Sequence, residues 1–292
     1  IVMAEKTVKS PNPRISVLGV ITFILFLICM VPFVLVVINS SKTAKEIIEN
    51  PIAFPADWGQ MIRNVTAIFT DGTIDYVNAF FDSVIVTTGS LFLIVLTSSM
   101  TAWVLVRNRT RWSSAIFMLF VAAMVIPFQV VMFPLVGWLK KLGNFLGVSV
   151  LGSFTGVFLA YTGFGCSLSV FIFHGFIKNV PVALEEAATI DGCSRPAVFF
   201  RIVLPLLQTV IITVLILQGI WIWNDFLLPL LLLGSNGRIQ TLPLAVTSFA
   251  GSYVKRWDLI LTSALLAMLP IIILFIFAQK YIIRGMVDGA VK

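Results

Sequence analysis

The sequence predicts an all-α, polytopic membrane protein with six transmembrane helices, and three observations carry that reading. Of 292 residues, 59% are hydrophobic and only 11% charged, against about 25% charged in a typical soluble domain. Uncharged runs recur at 15–41, 83–106, 112–139, 142–177, 202–224 and 259–279, and about 20 apolar residues suffice to cross about 30 Å of hydrocarbon. The basic residues are scattered between these runs rather than gathered in a patch. That distribution suits charges that orient a chain in a membrane and not a nucleic-acid surface.

The chain opens on a polar tail, 1–14, followed by a run too long for a signal-peptide core and lacking a small-residue cleavage site, so the first span is read as retained. A long loop, 42–82, follows it. With Trp58, several acids and the turn signal Asp71-Gly72, this loop reads as a small ordered cap. The run 142–177 is too long for one span. Its first part holds Gly143, Gly147, Gly152 and Gly156, so 142–155 is expected to be a re-entrant or interfacial loop, with the fourth span starting near Gly156.

Six spans place both termini on one side. With the N-terminus inside, Lys42, Lys45, Arg63, Lys140, Lys141, Arg238, Lys255 and Arg256 fall outside, and the other twelve of the 20 Lys and Arg fall inside. Arg107, Arg109 and Arg111 sit on a short connection, where such charges weigh most. The expected orientation is N-in and C-in. Cys29, Cys166 and Cys193 show no metal-ligand spacing and read as structural thiols.

The segment 179–204 is then the longest inner connection. Pro181 suits a helix start, Val182 to Ile190 are mostly helix formers, and Asp191-Gly192 supplies a stop, with Gly192 able to take positive φ. Such a helix is about 15 Å long and must lie along the membrane surface. Ser194 is expected to cap a second helix carrying Arg195 and Pro196, which leads through Pro205 into the fifth span.

Three carboxylates stand in this segment: Glu185, Glu186 and Asp191. Adjacent helical residues diverge by about 100°, so Glu185 and Glu186 cannot share a proton or a metal. Ala183, Ala187 and Ala188 flank them with small side chains, as a docking surface for another protein requires.

Here the residues carry a resemblance. Glu186-Ala187-Ala188, three residues, Gly192, nine residues, and Ile202-Val203-Leu204-Pro205 match the EAA-x3-G-x9-I-x-L-P signature of permease subunits of bacterial ABC importers. Trp223-Asn224-Asp225-Phe226, Thr241-Leu242-Pro243, Gly285 and the closing Gly289-Ala290-Val291-Lys292 resemble the MalG-like permeases of the carbohydrate branch. The one departure is Cys193, where alanine is usual.

The resemblance implies a type I ABC importer permease fold across 15–292, in the bacterial cytoplasmic membrane. It makes the 179–204 loop, with Glu185, Glu186, Ala187, Ala188, Asp191 and Gly192, the coupling helix that seats in a cytoplasmic ATPase dimer. It also implies a second, related permease, an extracytoplasmic solute-binding protein and a sugar substrate. No G-x-x-x-x-G-K-[ST] phosphate loop is present in the sequence, so no cofactor is expected on this chain, and ATP and Mg belong to the partner ATPase.

Trp221, Trp223, Asn224 and Asp225 are candidates for the substrate pathway, because intramembrane acids are functional candidates by default. An interfacial anchor is the competing reading. In the loop 234–258, Gly251, Ser252 and Tyr253 are candidates for contact with the binding protein, or simply part of a polar loop. His174 reads as a packing residue more readily than as a proton relay. A permease for a non-carbohydrate solute, or an ion-coupled secondary transporter, is the alternative function. The latter would need ionisable groups at mid-span, and only His174 and Asp225 come near.

Overall fold

The computed structural model describes residues 17–290, apart from 71, 73, 235, 236 and 251–254, and gives the backbone alone for 278 and 280–290. The N-terminal tail 1–14 and the candidates Gly251, Ser252 and Tyr253 lie outside the described residues. Among those described, every regular element is helical, apart from one isolated bridge between Ala250 and Lys255.

Helix α1 (Val17–Ser40) is apolar all round and exposed along most of its length. A helix of that kind meets its solvent in lipid. Its far end is tied down by polar groups. Lys42, although buried, donates to the Asn39 side chain at 3.0 Å and to the Asn50 carbonyl at 2.8 Å. Asn64 donates to the Ser40 and Lys42 carbonyls, and Thr262 donates to Ser40. These bonds fold the short helices α2 (Ala44–Glu49) and α3 (Gln60–Thr70) over the end of the bundle. Thr43 and Glu46 form a reciprocal capping box at the start of α2. The Thr43 backbone and hydroxyl donors hold the Glu46 carboxyl below its ordinary range. The expected ordered cap is present.

Helix α4 (Tyr76–Arg107) runs 32 residues, capped by Asp75. It begins seven residues before the expected second run, so 76–82 belong to the span and the cap is correspondingly shorter.

The third run is broken. Helices α5 (Arg111–Ala123) and α6 (Phe128–Leu146) meet at 109°. The 13 residues of α5 reach only about 20 Å, short of the hydrocarbon thickness. Pro127 is the physical cause: it offers no N–H, disfavours helical geometry in the residue before it, and itself stands extended at ψ 138°. A second correction follows. Residues 142–146 continue α6 to a left-handed stop at Gly147, so the connecting loop is only 147–153 rather than 142–155.

Helix α7 (Phe154–Ile177) starts on a Ser153 cap and packs against α4 along much of its length. Glycines make the contact close: Gly89 sits beneath the Phe158 ring and Gly165 against Ile94. Then come α8 (Val182–Ile190), α9 (Arg195–Val198), a π-helical turn over Phe199–Val203, α10 (Leu204–Leu206) and α11 (Gln208–Asn224). Helices α12 (Leu227–Leu233) and α13 (Leu242–Val246), with a 3-10 turn at Thr247–Phe249, cover the end opposite 179–204. Helix α14 (Trp257–Ala290) closes the chain, extending past the expected end at 279.

Four of these helices are long and apolar enough to cross a membrane unbroken, and the number rises to six where each of the two bent pairs, α5–α6 and α9–α11, counts as one span. The main core lies where α4, α7 and α11 meet, around Ile94, Val157, Tyr161, Phe173 and Val214. A second core, around Ile68, Trp223, Leu242 and Leu259, sits under the far-end loops.

Gly156 decides how the 147–153 loop returns to α7. A Cβ there would stand 2.2 Å from the Val150 carbonyl oxygen, which already accepts from the Ser153 hydroxyl. Gly156→Ala should destabilise the detergent-solubilised chain by about 1–3 kcal/mol through overpacking. Gly175→Ala, in the same helix with nothing within 4 Å, should be neutral or stabilise by up to about 1 kcal/mol. Thermal unfolding of the two variants side by side makes the comparison.

Candidate functional site: the 179–204 loop and the helices it joins

Helix α8 occupies the residues that the sequence marks, from Pro181 at its N-cap to Asp191 at its C-cap. Gly192 lies at φ +87°. Its N–H bonds the Thr189 carbonyl at 3.0 Å, and the Cys193 N–H bonds the Ala188 carbonyl at 2.9 Å. This pair of bonds is a Schellman motif, which satisfies carbonyls that a helix end otherwise leaves orphaned. Ser194 takes the extended cap conformation before α9, but its hydroxyl makes no capping bond. That part of the expected capping is absent.

The path into the fifth span is not a straight helix. The Leu204 N–H reaches back to the Phe199 carbonyl in a π turn. Pro205 follows at once; it has no N–H, and its ring crowds the carbonyl four residues earlier. A widened turn there accommodates a mismatch that a regular α-helix cannot. At Leu207 the chain then bends by 76° into α11.

Glu185 is the main correction. Expected as an exposed acid, it is buried. Its Oε1 accepts from Arg107 Nε at 2.9 Å and Nη2 at 2.7 Å, and its Oε2 accepts from Trp103 Nε1 at 3.0 Å. Arg107 Nη2 also donates to the Val180 carbonyl at 3.0 Å. Both partners of the ion pair are mostly buried, with side chains 17% and 10% exposed. The Trp103 ring lies 5.4 Å from that of Phe199. The C-terminal end of α4 therefore holds both α8 and the start of the fifth span.

Ala188 turns inward with Glu185, whereas Glu186, Ala187, Asp191 and Gly192 are exposed. Among the described residues Glu186 has no hydrogen-bond or ionic partner. Ile190, next to them, is 86% exposed. Small, acidic and apolar side chains thus share one free face.

At the other end of α11 the four pathway candidates part company. Asp225 leaves helical geometry at ψ 128°, accepting from the Tyr161 hydroxyl at 3.1 Å and the Leu227 N–H at 3.0 Å. Trp221 meets the Tyr161 ring edge-to-face at 5.5 Å. Asn224 bonds its own helix at the Ile220 carbonyl. Trp223 points away, buried against Phe80 and donating to the Ala267 carbonyl; it holds α11 to α14 and does not face the cavity that Trp221 lines.

That cavity, of about 670 Å³, is lined by Trp138, Phe164, Ser167, Gln218 and Trp221 among others. Sequence reasoning missed Gln218 and Trp138. Gln218 is a buried amide in an otherwise apolar run, donating to the Gly165 carbonyl and the Ser169 hydroxyl; an amide in such a run was a usable signal. His174 stacks on Phe117 at 3.7 Å between ring centroids, a packing role. No group of three or more potential metal ligands occurs among the described residues.

Comparison with known proteins gives a consistent result. A family model described as "Binding-protein-dependent transport system inner membrane component" matches residues 94–288. The probable starch degradation products transport system permease protein AmyC of Thermoanaerobacterium thermosulfurigenes is 39% identical over 269 residues, which cover 92% of this chain and 94% of that one. The multiple sugar-binding transport system permease protein MsmG of Streptococcus mutans is 31% identical over 91% of this chain and 93% of its own. The fold matches a chain in the crystal structure of a bacterial ABC transporter involved in the import of the acidic polysaccharide alginate. The TM-score is 0.71 at 17% identity, over 92% of this chain and 98% of that one.

The Glu185 contacts make a stability prediction. Glu185→Ala leaves the Arg107 charge buried without its partner and should destabilise the chain by about 3 kcal/mol. Glu186→Ala, at an exposed position, should shift stability by less than about 0.5 kcal/mol. Replacing both members with Met (Arg107→Met with Glu185→Met) should recover most of the loss, since an apolar pair carries no desolvation cost. Thermal unfolding in detergent separates the three.

Proposed function

Since this chain belongs to the family of binding-protein-dependent transport system inner membrane components, and is a non-catalytic, multi-pass permease subunit of an ABC transporter, we propose that it imports a sugar or oligosaccharide. In this reading it forms half of the translocation pathway beside a second, related permease. Its α8 face of Glu186, Ala187, Asp191 and Gly192 seats in a cytoplasmic ATPase dimer that binds ATP and Mg. A solute-binding protein delivers substrate at the opposite end, where 234–258, with Gly251, Ser252 and Tyr253, is the contact loop. The N- and C-termini face the cytoplasm and the chain lies in the bacterial cytoplasmic membrane.

One observation carries the coupling role: the signature from Glu186 to Pro205 folds as a surface helix, a Schellman stop at Gly192 and a π turn into a membrane helix. Glu185 and Ala188 act differently from the exposed residues, by fixing the helix to the bundle. The sugar class is supported by the relatives' substrates as their names give them: starch degradation products, multiple sugars, and melibiose, raffinose and stachyose. The cavity beside α11 also suits it, because Trp138 and Trp221 offer ring faces and Gln218 an amide to a polyhydroxylated ligand.

The test leaves the fold intact. At Gly192 an added Cβ meets nothing within 4 Å, so Gly192→Val costs roughly 1 kcal/mol or more through backbone conformation alone. Glu186→Lys reverses a charge with no internal partner. Both variants should insert and bind the loaded solute-binding protein. Both should lose ATPase association, or the stimulation of ATP hydrolysis by that protein in proteoliposomes. Wild-type association and stimulation in both would overturn the coupling assignment.

A further inference from the structure

We propose that the groove between the ends of α4, α5, α7 and α8 binds the phosphate-bearing headgroup of an anionic membrane lipid. The groove has a volume of about 780 Å³. Arg107, Arg109, Arg111 and Lys178 line it, and no Asp or Glu does. Arg107 is neutralised by Glu185. The other three cations have no acidic partner among the described residues.

Helix polarity sharpens the imbalance. Lys178 stands at the C-terminus of α7, where the backbone dipole favours a cation. Arg111 is the first residue of α5, where the helix already presents partial positive charge. Its charge and that of Arg109 are therefore compensated neither by a carboxylate nor by the fold. Guanidinium groups pair with phosphate oxygens in a two-pronged geometry that a single point charge cannot reproduce.

The other wall makes the ligand amphipathic. Phe117 and Met118 line the same groove, about 9–11 Å along α5 from Arg111, in the direction of the span. Trp112, 79% exposed beside Arg111, is a side chain of the kind that settles at a membrane interface. Charge at the rim and apolar surface one to two turns deeper fit a headgroup with its acyl chains below. Arginines that only set orientation need a charged connection, but neither a cavity nor an apolar wall. The side of the membrane on which the groove opens rests on the proposed orientation; its charge and shape do not.

The assembled importer, purified from a mixture of phosphatidylglycerol and phosphatidylcholine, provides the test by native mass spectrometry. Wild type should retain phosphatidylglycerol in preference to phosphatidylcholine. Arg109→Gln with Arg111→Gln removes two charge-assisted contacts and should lower that retention by about tenfold or more. Ser114→Trp, which fills the groove while keeping every cation and hence the orientation signal, should do the same. Lipid occupancy is read independently of ATPase coupling, so failure here is distinct from failure of the proposed function. Equal retention of the two lipids by wild type, or undiminished phosphatidylglycerol in Ser114→Trp, overturns the proposal. Displacement of the lipid by millimolar inorganic phosphate overturns it in favour of a free-phosphate site.

Discussion

The contact on which the α8 end of this molecule depends is the ion pair between Arg107 and Glu185, completed by the Trp103 indole. Helix α8 has nine residues, too few to be stable alone in water, and it lies outside the bundle. A buried ion pair is not in itself a source of stability, because removing two charges from water costs several kcal/mol per ion. Here both carboxylate oxygens accept hydrogen bonds, and Arg107 donates from Nε and Nη2, the latter also to the Val180 carbonyl, in one arrangement. The pair therefore specifies a position. Displacing α8 from α4 would leave a charge buried and unmatched, so the two helices are held as one body.

Trp103 extends this body to the fifth span through Phe199. Phe199 is itself the first residue of the π turn, and the bend at Leu207 follows it, so the irregular backbone runs from the clamped residue to α11. A push on the free face of α8 would be carried rigidly by α4 and into α11 through a joint. The far end is built differently. Asp225 and Tyr161 bond α11 to α7, while Trp223 bonds α11 to α14. Alternate residues of one helix end thus serve two packing faces, one of them bordering the cavity.

Much of this was legible in the sequence, for physical reasons. Pro181 and Gly192 act through local backbone chemistry, so the bounds of α8 and the positive φ at its end followed from residues a few positions apart. The burial of Glu185 was not legible, because its partners lie 78 and 82 residues earlier in the chain and an acid beside Glu186 reads as a second exposed acid. The break at Pro127 was equally hidden. Prolines are tolerated in membrane helices when neighbours satisfy the backbone, and hydropathy does not change across the break. Trp221 and Trp223 looked equivalent as aromatics; only the packing around α11 separates them.

If the Arg107–Glu185–Trp103 contact fixes α8 to α4, the two must move together when the transporter works. Val104 and Ile190 are exposed on these helices and can each carry a spin label. In the assembled importer, pulsed electron resonance should return one narrow distance distribution between them, unchanged between the nucleotide-free and ATP-bound states. A distribution that broadens or shifts on ATP binding would show that α8 moves independently of α4, and would contradict the account.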